Sequence, residues 1–244
     1  MKPEVRIFQD SESMSREAAT LFIEQSAQSI RKLDRFLVSL SGGSTPEHLF
    51  ELLATDYVGR VDLVNIHLFW DDERCVPVED AESSYGQAYR IWLSKVAIPQ
   101  TNIHRINGEL KPAEAAKEYA TVLGQFAAPL LPWPRFDLVF LGLGEDGHTA
   151  SLFAGSPLDI SQPTLAVTAH YENRPAERVT LTPQVFNTAQ MIVFMAAGKN
   201  KAEIVKLILD GNYDPGNLPA QRISPKDGKV IWLLDDLAAS LIKR

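Results

Sequence analysis

Short apolar runs, each followed by a stretch of helical periodicity, constrain this chain more than any other feature. Residues 35–40 (RFLVSL), 63–69 (LVNIHLF), 136–141 (FDLVFL), 190–196 (QMIVFMA) and 230–234 (VIWLL) are rich in β-branched, aromatic and aliphatic side chains on both faces. A strand that is apolar on both faces must be covered on both. Between the runs lie helical patterns. Ala19, Phe22, Ile23, Ser26, Ile30 and Leu33 recur at steps of three and four, as do Ala116, Tyr119, Ala120 and Leu123, and Ala202, Val205, Ile208 and Leu209. Strand–helix alternation predicts an α/β fold: a mostly parallel sheet with helices on both sides. Residues 130–134 (LLPWP) break the pattern before a strand, and 210–219 (DGNYDPGNLP) form a loop dense in Gly, Pro, Asn and Asp. Neither is long enough for a linker, so a single domain over residues 1–244 is expected.

Composition narrows the function classes. The chain has 45% hydrophobic and 23% charged residues, near the globular average. Its formal net charge of −7 is a poor match to nucleic acid, so any anion must be bound by local cations. The single cysteine, Cys75, rules out an intrachain disulfide and points to a reducing, cytoplasmic setting. Residues 1–10 lack a signal-type apolar core, and no apolar run approaches the roughly 20 residues that span a bilayer.

In open parallel sheets ligands bind beyond the carboxyl ends of the strands, so the residues after each run carry the functional argument. The first run leads into Ser41, Gly42, Gly43, Ser44, Thr45 and Pro46. Two glycines allow a tight turn with N–H groups aimed outward, the hydroxyls of Ser44 and Thr45 add donors, and Pro46 suits a first helical position. The turn reads as a phosphate cradle at a helix N-terminus, or as a strand–helix turn capped by a hydroxyl. It lacks the lysine of a Walker loop. The second run ends in Trp70-Asp71-Asp72-Glu73-Arg74, four charges at the mouth of a buried strand, readable as a site or as a solvated loop with local ion pairs.

The third run opens into residues 142–153 (GLGEDGHTASLF). Gly142, Gly144 and Gly147 match G-x-G-x-x-G, yet the acidic ribose-binding residue expected at a second strand end is missing, and Glu145 and Asp146 would repel a pyrophosphate. The glycines are better read as exposing His148, held near Asp146. A histidine oriented by a carboxylate can act as a general base near neutral pH; the alternative is a helix-capping histidine. After a break at Asn173-Arg174-Pro175 comes 177–182 (ERVTLT), and after the fourth run comes Gly198-Lys199-Asn200-Lys201, whose lysines oppose the dipole of the helix they open and read as compensated by a ligand or as two solvated side chains. His48 is expected on the helix after the cradle and His67 within a strand of the core, His104 and His170 have no cluster around them, and no His/Cys/Asp spacing resembles a zinc site.

Taken in order, 40–46 (LSGGSTP), 70–77 (WDDERCVP), 141–153 (LGLGEDGHTASLF), 177–182 (ERVTLT) and 198–202 (GKNKA) resemble the 6-phosphogluconolactonase family, in the group that also holds glucosamine-6-phosphate deaminases. Deaminases carry tyrosine where Arg74 stands and continue differently after Gly147-His148, so the resemblance is to the lactonase side. The family usually has glycine at Asp71 and a Ser-Asn pair at Ser83-Ser84. The resemblance implies a three-layer αβα sandwich with a modified Rossmann-like sheet. It implies hydrolysis of 6-phospho-D-glucono-1,5-lactone in the oxidative pentose phosphate pathway, with no metal or cofactor. Phosphate would lie on Gly42, Gly43, Ser44 and Thr45, with Arg74, Arg178 and Lys201 nearby and Asp72 among the substrate contacts. His148, oriented by Asp146, would activate the attacking water. The competing expectations are an amino-sugar-phosphate deaminase using Asp72 as base, and a sugar-phosphate sensor without turnover.

Overall fold

The computed structural model describes residues 3–170 and 174–243. Asn173, part of the expected break, lies outside the described residues. The chain opens with strand β1 (Glu4–Phe8) and helix α1 (Ser11–Leu33). Helix α1 shows why these residues form a helix. Asp10 accepts from the Ser13 N–H as N-cap, Glu12 sits in the first turn, Arg31 and Lys32 sit in the last, and Asp34 closes the end at φ 55°. It buries Met14, Ala18, Ala19 and Phe22, while Leu33, expected on the buried face, is 56% exposed beyond the end of the sheet contact.

Then follow β2 (Phe36–Leu40), α2 (Ser44–Ala54), β3 (Ile66–Trp70), β4 (Asp72–Arg74), α3 (Ser84–Ile91), β5 (Ile103–His104), α4 (Pro112–Gly124) and β6 (Leu138–Gly142). The last third holds β7 (Thr164–Thr168), β8 (Glu177–Leu181), α5 (Pro183–Phe186), β9 (Met191–Ala196), α6 (Ala202–Asp210) and β10 (Lys229–Asp235). The main sheet has seven strands in the order β1-β10-β9-β6-β2-β3-β5, parallel throughout. Helices cover both sides, as the doubly apolar runs require, and every residue of β2 and β9 is buried. Within the core Phe22 meets Phe36 and Trp92 edge-on at 5.5 and 5.8 Å. Each such ring contributes about 1.5–3 kcal/mol on burial.

Chain order explains where a site can form. From β2 the chain steps outward through β3 to β5, then returns to the other side of β2 with β6. The carboxyl ends of β2 and β6 therefore flank a topological switch point, where departing loops splay apart and leave a crevice. A second sheet, β4-β8-β7, is antiparallel and was not anticipated. The segment 177–182 is mostly its central strand. It pairs with β4 by putting Asp72 opposite Thr180 and Arg74 opposite Arg178.

One histidine expectation is corrected. His67 and His104 are not isolated: Nδ1 of His67 lies 3.0 Å from Nε2 of His104, across the β3–β5 pair, against Phe69 and Phe126. Burial pulls the His104 imidazole down to about 4, helped by His67, and burial with nearby Arg35 also pulls His67 down. A lowered folded value means that the neutral form is folded. The pair imposes no penalty above pH 6.5, the unfolded value, and a growing one as pH falls from there toward 4. Melting temperature should therefore drop between pH 7 and 4.5 more steeply in the wild type than in His104→Gln. Parallel curves would remove the pair from the acid response.

Candidate active site

Segments leaving β2, β3, β6 and β9 converge with β8 on a cavity of about 400 Å³. Its lining includes nine of the ten sequence-derived site residues: Gly42, Gly43, Ser44, Thr45, Asp72, Arg74, His148, Arg178 and Lys201. Asp146, the tenth, stands behind His148 and borders a neighbouring cavity.

The β2 exit differs in detail from the expected cradle. Helix α2 begins at Ser44, so Pro46 is its third residue and not its first, which is harmless because no intrahelical bond needs its N–H. Gly43 is the N-cap at φ 101°, and no hydroxyl caps the helix. The N–H of Gly43 is turned away from its expected outward aim: it donates to Gln87 Oε1 at 2.9 Å, and Gln87 Nε2 donates back to the Gly43 carbonyl. The N-terminal end of α2, with its positive dipole, still faces the cavity through Ser44 and Thr45.

The acidic run is a buried junction rather than a solvated loop. Asp71 is fully buried where the chain passes from one sheet to the other; its N–H donates to Leu40 O and its carbonyl accepts from Leu181 N. Burial, then the adjacent Asp72, pushes the Asp71 carboxyl well above the usual carboxylate range. It does not line the cavity; the neighbouring Asp72 does, and Asp72 Oδ2 accepts from Ser151 Oγ at 2.6 Å. Glu73 points the other way. It accepts from the N–H groups of Arg74, Ser84 and Tyr85 and from Ser83 Oγ, anchoring the N-terminus of α3. Burial raises its pKa while those N–H groups offset the rise. Arg74 faces Arg178 across the β4–β8 ladder, a like-charge pairing that costs stability unless acids or an anion attend it. Glu82 attends Arg74: Nη1 donates to the Glu82 carbonyl at 2.6 Å and lies 3.3 Å from its carboxylate. Arg178 lies over the Phe153 ring and donates from Nε to Pro175 O. Cys75 is half-buried beside Glu177, and burial pushes its thiol up to about 11, which leaves it a poor nucleophile.

The β6 exit presents the histidine. Gly144 N–H donates to His148 O, Thr149 Oγ1 donates to Gly142 O, and Gly147 turns at φ 85°. The His148 ring donates from Nδ1 to Asp146 Oδ1 at 2.5 Å. That bond fixes the tautomer and leaves Nε2 on the opposite edge of the ring, on a residue that lines the cavity. Gly144 lies directly behind: a Cβ there would collide with the imidazole and with Asp146. From the β9 exit comes Lys201, whose ammonium burial draws down while Glu145 and Asp146 oppose the shift. Lys199 does not join the lining, but Asn200 does, donating to Glu145 Oε1 at 2.6 Å.

Sequence inspection missed Arg174, Glu145 and Asn200 in the lining and Ser151 behind Asp72. Glu145, Ser151 and Asn200 lie within the motifs at 141–153 and 198–202, whereas Arg174 lies only in the break at 173–175. The lining carries Arg74, Arg174, Arg178 and Lys201 against the carboxylates Asp72 and Glu145, an excess of positive charge inside a chain of net −7. A helix N-terminus, clustered cations and an oriented imidazole suit a phosphorylated ligand with a hydrolysable or proton-bearing centre.

Comparison with known proteins gives concordant results. The family model described as glucosamine-6-phosphate isomerases/6-phosphogluconolactonase matches residues 9–232. The 6-phosphogluconolactonase of Homo sapiens is 37% identical over 243 residues, covering 98% of this chain and 93% of that protein. A crystal structure of a devB protein superposes with a TM-score of 0.89 at 35% identity, over 98% of this chain and 99% of that one. The 6-phosphogluconolactonase from Trypanosoma brucei gives 0.83 at 27% identity, over 98% of each chain.

The buried anchor generates a stability prediction. Glu73→Ala strips three N–H groups and a hydroxyl of their acceptor, and should cost about 3–5 kcal/mol in urea unfolding. A loss below about 1 kcal/mol would mean that α3 is held by other contacts.

Proposed function

The chain belongs to the glucosamine-6-phosphate isomerase/6-phosphogluconolactonase family, and within it we propose that this protein is a lactone hydrolase that converts 6-phospho-D-glucono-1,5-lactone to 6-phosphogluconate, a step of the oxidative pentose phosphate pathway. The observation that carries the proposal is the Asp146–His148 pair presented to a cavity in which four cationic side chains outnumber two carboxylates. Relatives named 6-phosphogluconolactonase, alike over nearly the whole chain, support the reaction class.

A six-membered lactone is an activated ester, so the protein must supply a placed water and charge stabilisation. Phosphate on the α2 N-terminus, attended by Arg74 and Arg178, seats the sugar with its carbonyl toward His148. His148 Nε2 takes a proton from water as the oxygen attacks C1; Asp146 stabilises the imidazolium that forms. Lys201 faces the developing oxyanion. Collapse of the tetrahedral intermediate breaks the C1–O5 bond, and His148 returns its proton to the departing ring oxygen. The product acid ionises, so each turnover releases one proton to solvent. Asp72, seated in the cavity with Ser151, is the specific observation that favours a second reading, proton abstraction in an amino-sugar-phosphate deaminase. Arg74, where deaminases carry tyrosine, ranks it below the first.

Proton release on mixing with fresh 6-phosphogluconolactone should exceed spontaneous hydrolysis and should depend on the phosphate. A rate at background, with ammonia released from glucosamine 6-phosphate, would favour the deaminase. His148→Asn should lower kcat about 10²–10⁴-fold with KM nearly unchanged. Gly144→Ala, which pushes on the imidazole without removing it, should lower kcat by about 10²-fold while the protein stays folded. Near-normal turnover in both variants would remove His148 from the chemistry.

A further inference from the structure

We infer that Arg174 is a specificity-determining residue of this cavity, held on its phosphate side by Glu82; the inference rests on the lactonase reading above. Arg174 belongs to none of the quoted motifs, yet it lines the cavity. Its Nε lies 3.4 Å from Glu82 Oε2, the same oxygen that lies 3.3 Å from Arg74 Nη1. Glu82 itself is outside the lining, so one carboxylate holds two guanidiniums from behind.

The position of Glu82 decides which part of a substrate these arginines meet. Two residues on, Ser84 packs so closely on Gly42 that a Cβ on that glycine would collide with it. Gln87, in the same helix, is bonded both ways to Gly43. The segment carrying Glu82 is thus bolted to the β2 turn. The side chains tethered to it stand beside that turn, while His148 is mounted on the β6 exit. Among the described residues, one carboxylate shared by two guanidiniums leaves a net positive charge there, and a phosphate monoester carrying about −1.5 to −2 at pH 7 supplies the complement. Planar guanidinium donors suit phosphate oxygens better than an ammonium does. The Arg174 side chain is 51% exposed, against 12% for Arg74, which puts Arg174 at the rim, where its contribution is screened by salt.

The effect expected of a rim cation is on ligand affinity, not on the chemical step. Binding of 6-phosphogluconate, the stable product, is measured by titration calorimetry on the full chain, with inorganic phosphate as a second probe. Arg174→Gln should weaken both by about 5–20-fold at low ionic strength, and the difference should shrink to about twofold in 0.5 M salt. Arg174→Lys should recover part of the loss for 6-phosphogluconate. In turnover, Arg174→Gln should raise KM and leave kcat within about twofold. The exposed position makes misfolding a minor concern, and an unchanged melting temperature checks it. Wild-type binding of 6-phosphogluconate matched by Arg174→Gln overturns the role of Arg174 and leaves the lactonase reading standing. Failure of the wild type to bind either probe overturns the anion-binding role of Arg174, while proton release from the lactone decides the lactonase reading separately.

Discussion

The architecture of the site depends on burying a run of four charged residues where β3 leaves the main sheet. Such a run is costly in a low-dielectric interior unless each member has a compensating partner. Each receives a different solution. Asp71 is pushed toward its neutral acid by burial. Asp72 takes a hydroxyl from Ser151, Glu73 takes three backbone N–H groups and a hydroxyl, and Arg74 takes the carbonyl and carboxylate of Glu82. Alternation along β4 then sends Asp72 and Arg74 toward the cavity and Glu73 toward α3, as the twofold period of a strand requires.

The partners of that run hold the other walls. Glu73 fixes the start of α3, α3 carries Gln87, and Gln87 fixes the Gly43 turn. Asp71 bonds β2 on one side and β8 on the other, so the cradle and the Arg178 strand share a mount. The histidine wall has a further brace of its own. Gly147 O accepts from Ala220 N, and a buried Arg222 guanidinium binds the carbonyls of Ser156, Pro157 and Pro215, tying the 210–219 loop to the segment after His148. Ser151 joins the two walls: its Oγ donates to Asp72 on β4 and its N–H to Thr180 Oγ1 on β8.

Much of the fold was legible because its main strands are covered on both faces. Continuous apolar runs such as FLVSL and MIVFMA signal that condition without reference to any partner. The antiparallel sheet was not legible. Strand β4 has three residues, all charged, and it acquires strand geometry only by pairing with β8 more than a hundred positions away. Arg174 is a related case: nothing in its local sequence distinguishes it from a loop residue, and its place in the cavity lining beside Glu82 is set by the fold. Neither Asp71 nor Ser84, two of the departures from the family pattern, lines the cavity. In the folded chain Asp71 sits in the sheet junction and Ser84 packs behind Gly42.

By itself the sequence determined the chemical inventory and its order. It specified a strand followed by a glycine turn and a helix, a carboxylate two residues from a histidine, and cations placed after other strands. These are local, because backbone freedom at glycine, strand periodicity and an i,i+2 hydrogen bond act over a few residues. Tertiary structure decided which of these groups share one cavity, which of three consecutive acids faces it, and that a glycine N–H of the expected cradle is spent on Gln87. Those outcomes depend on strand order at a switch point and on the need to satisfy buried charges with partners distant in sequence, and neither is a property of any short segment.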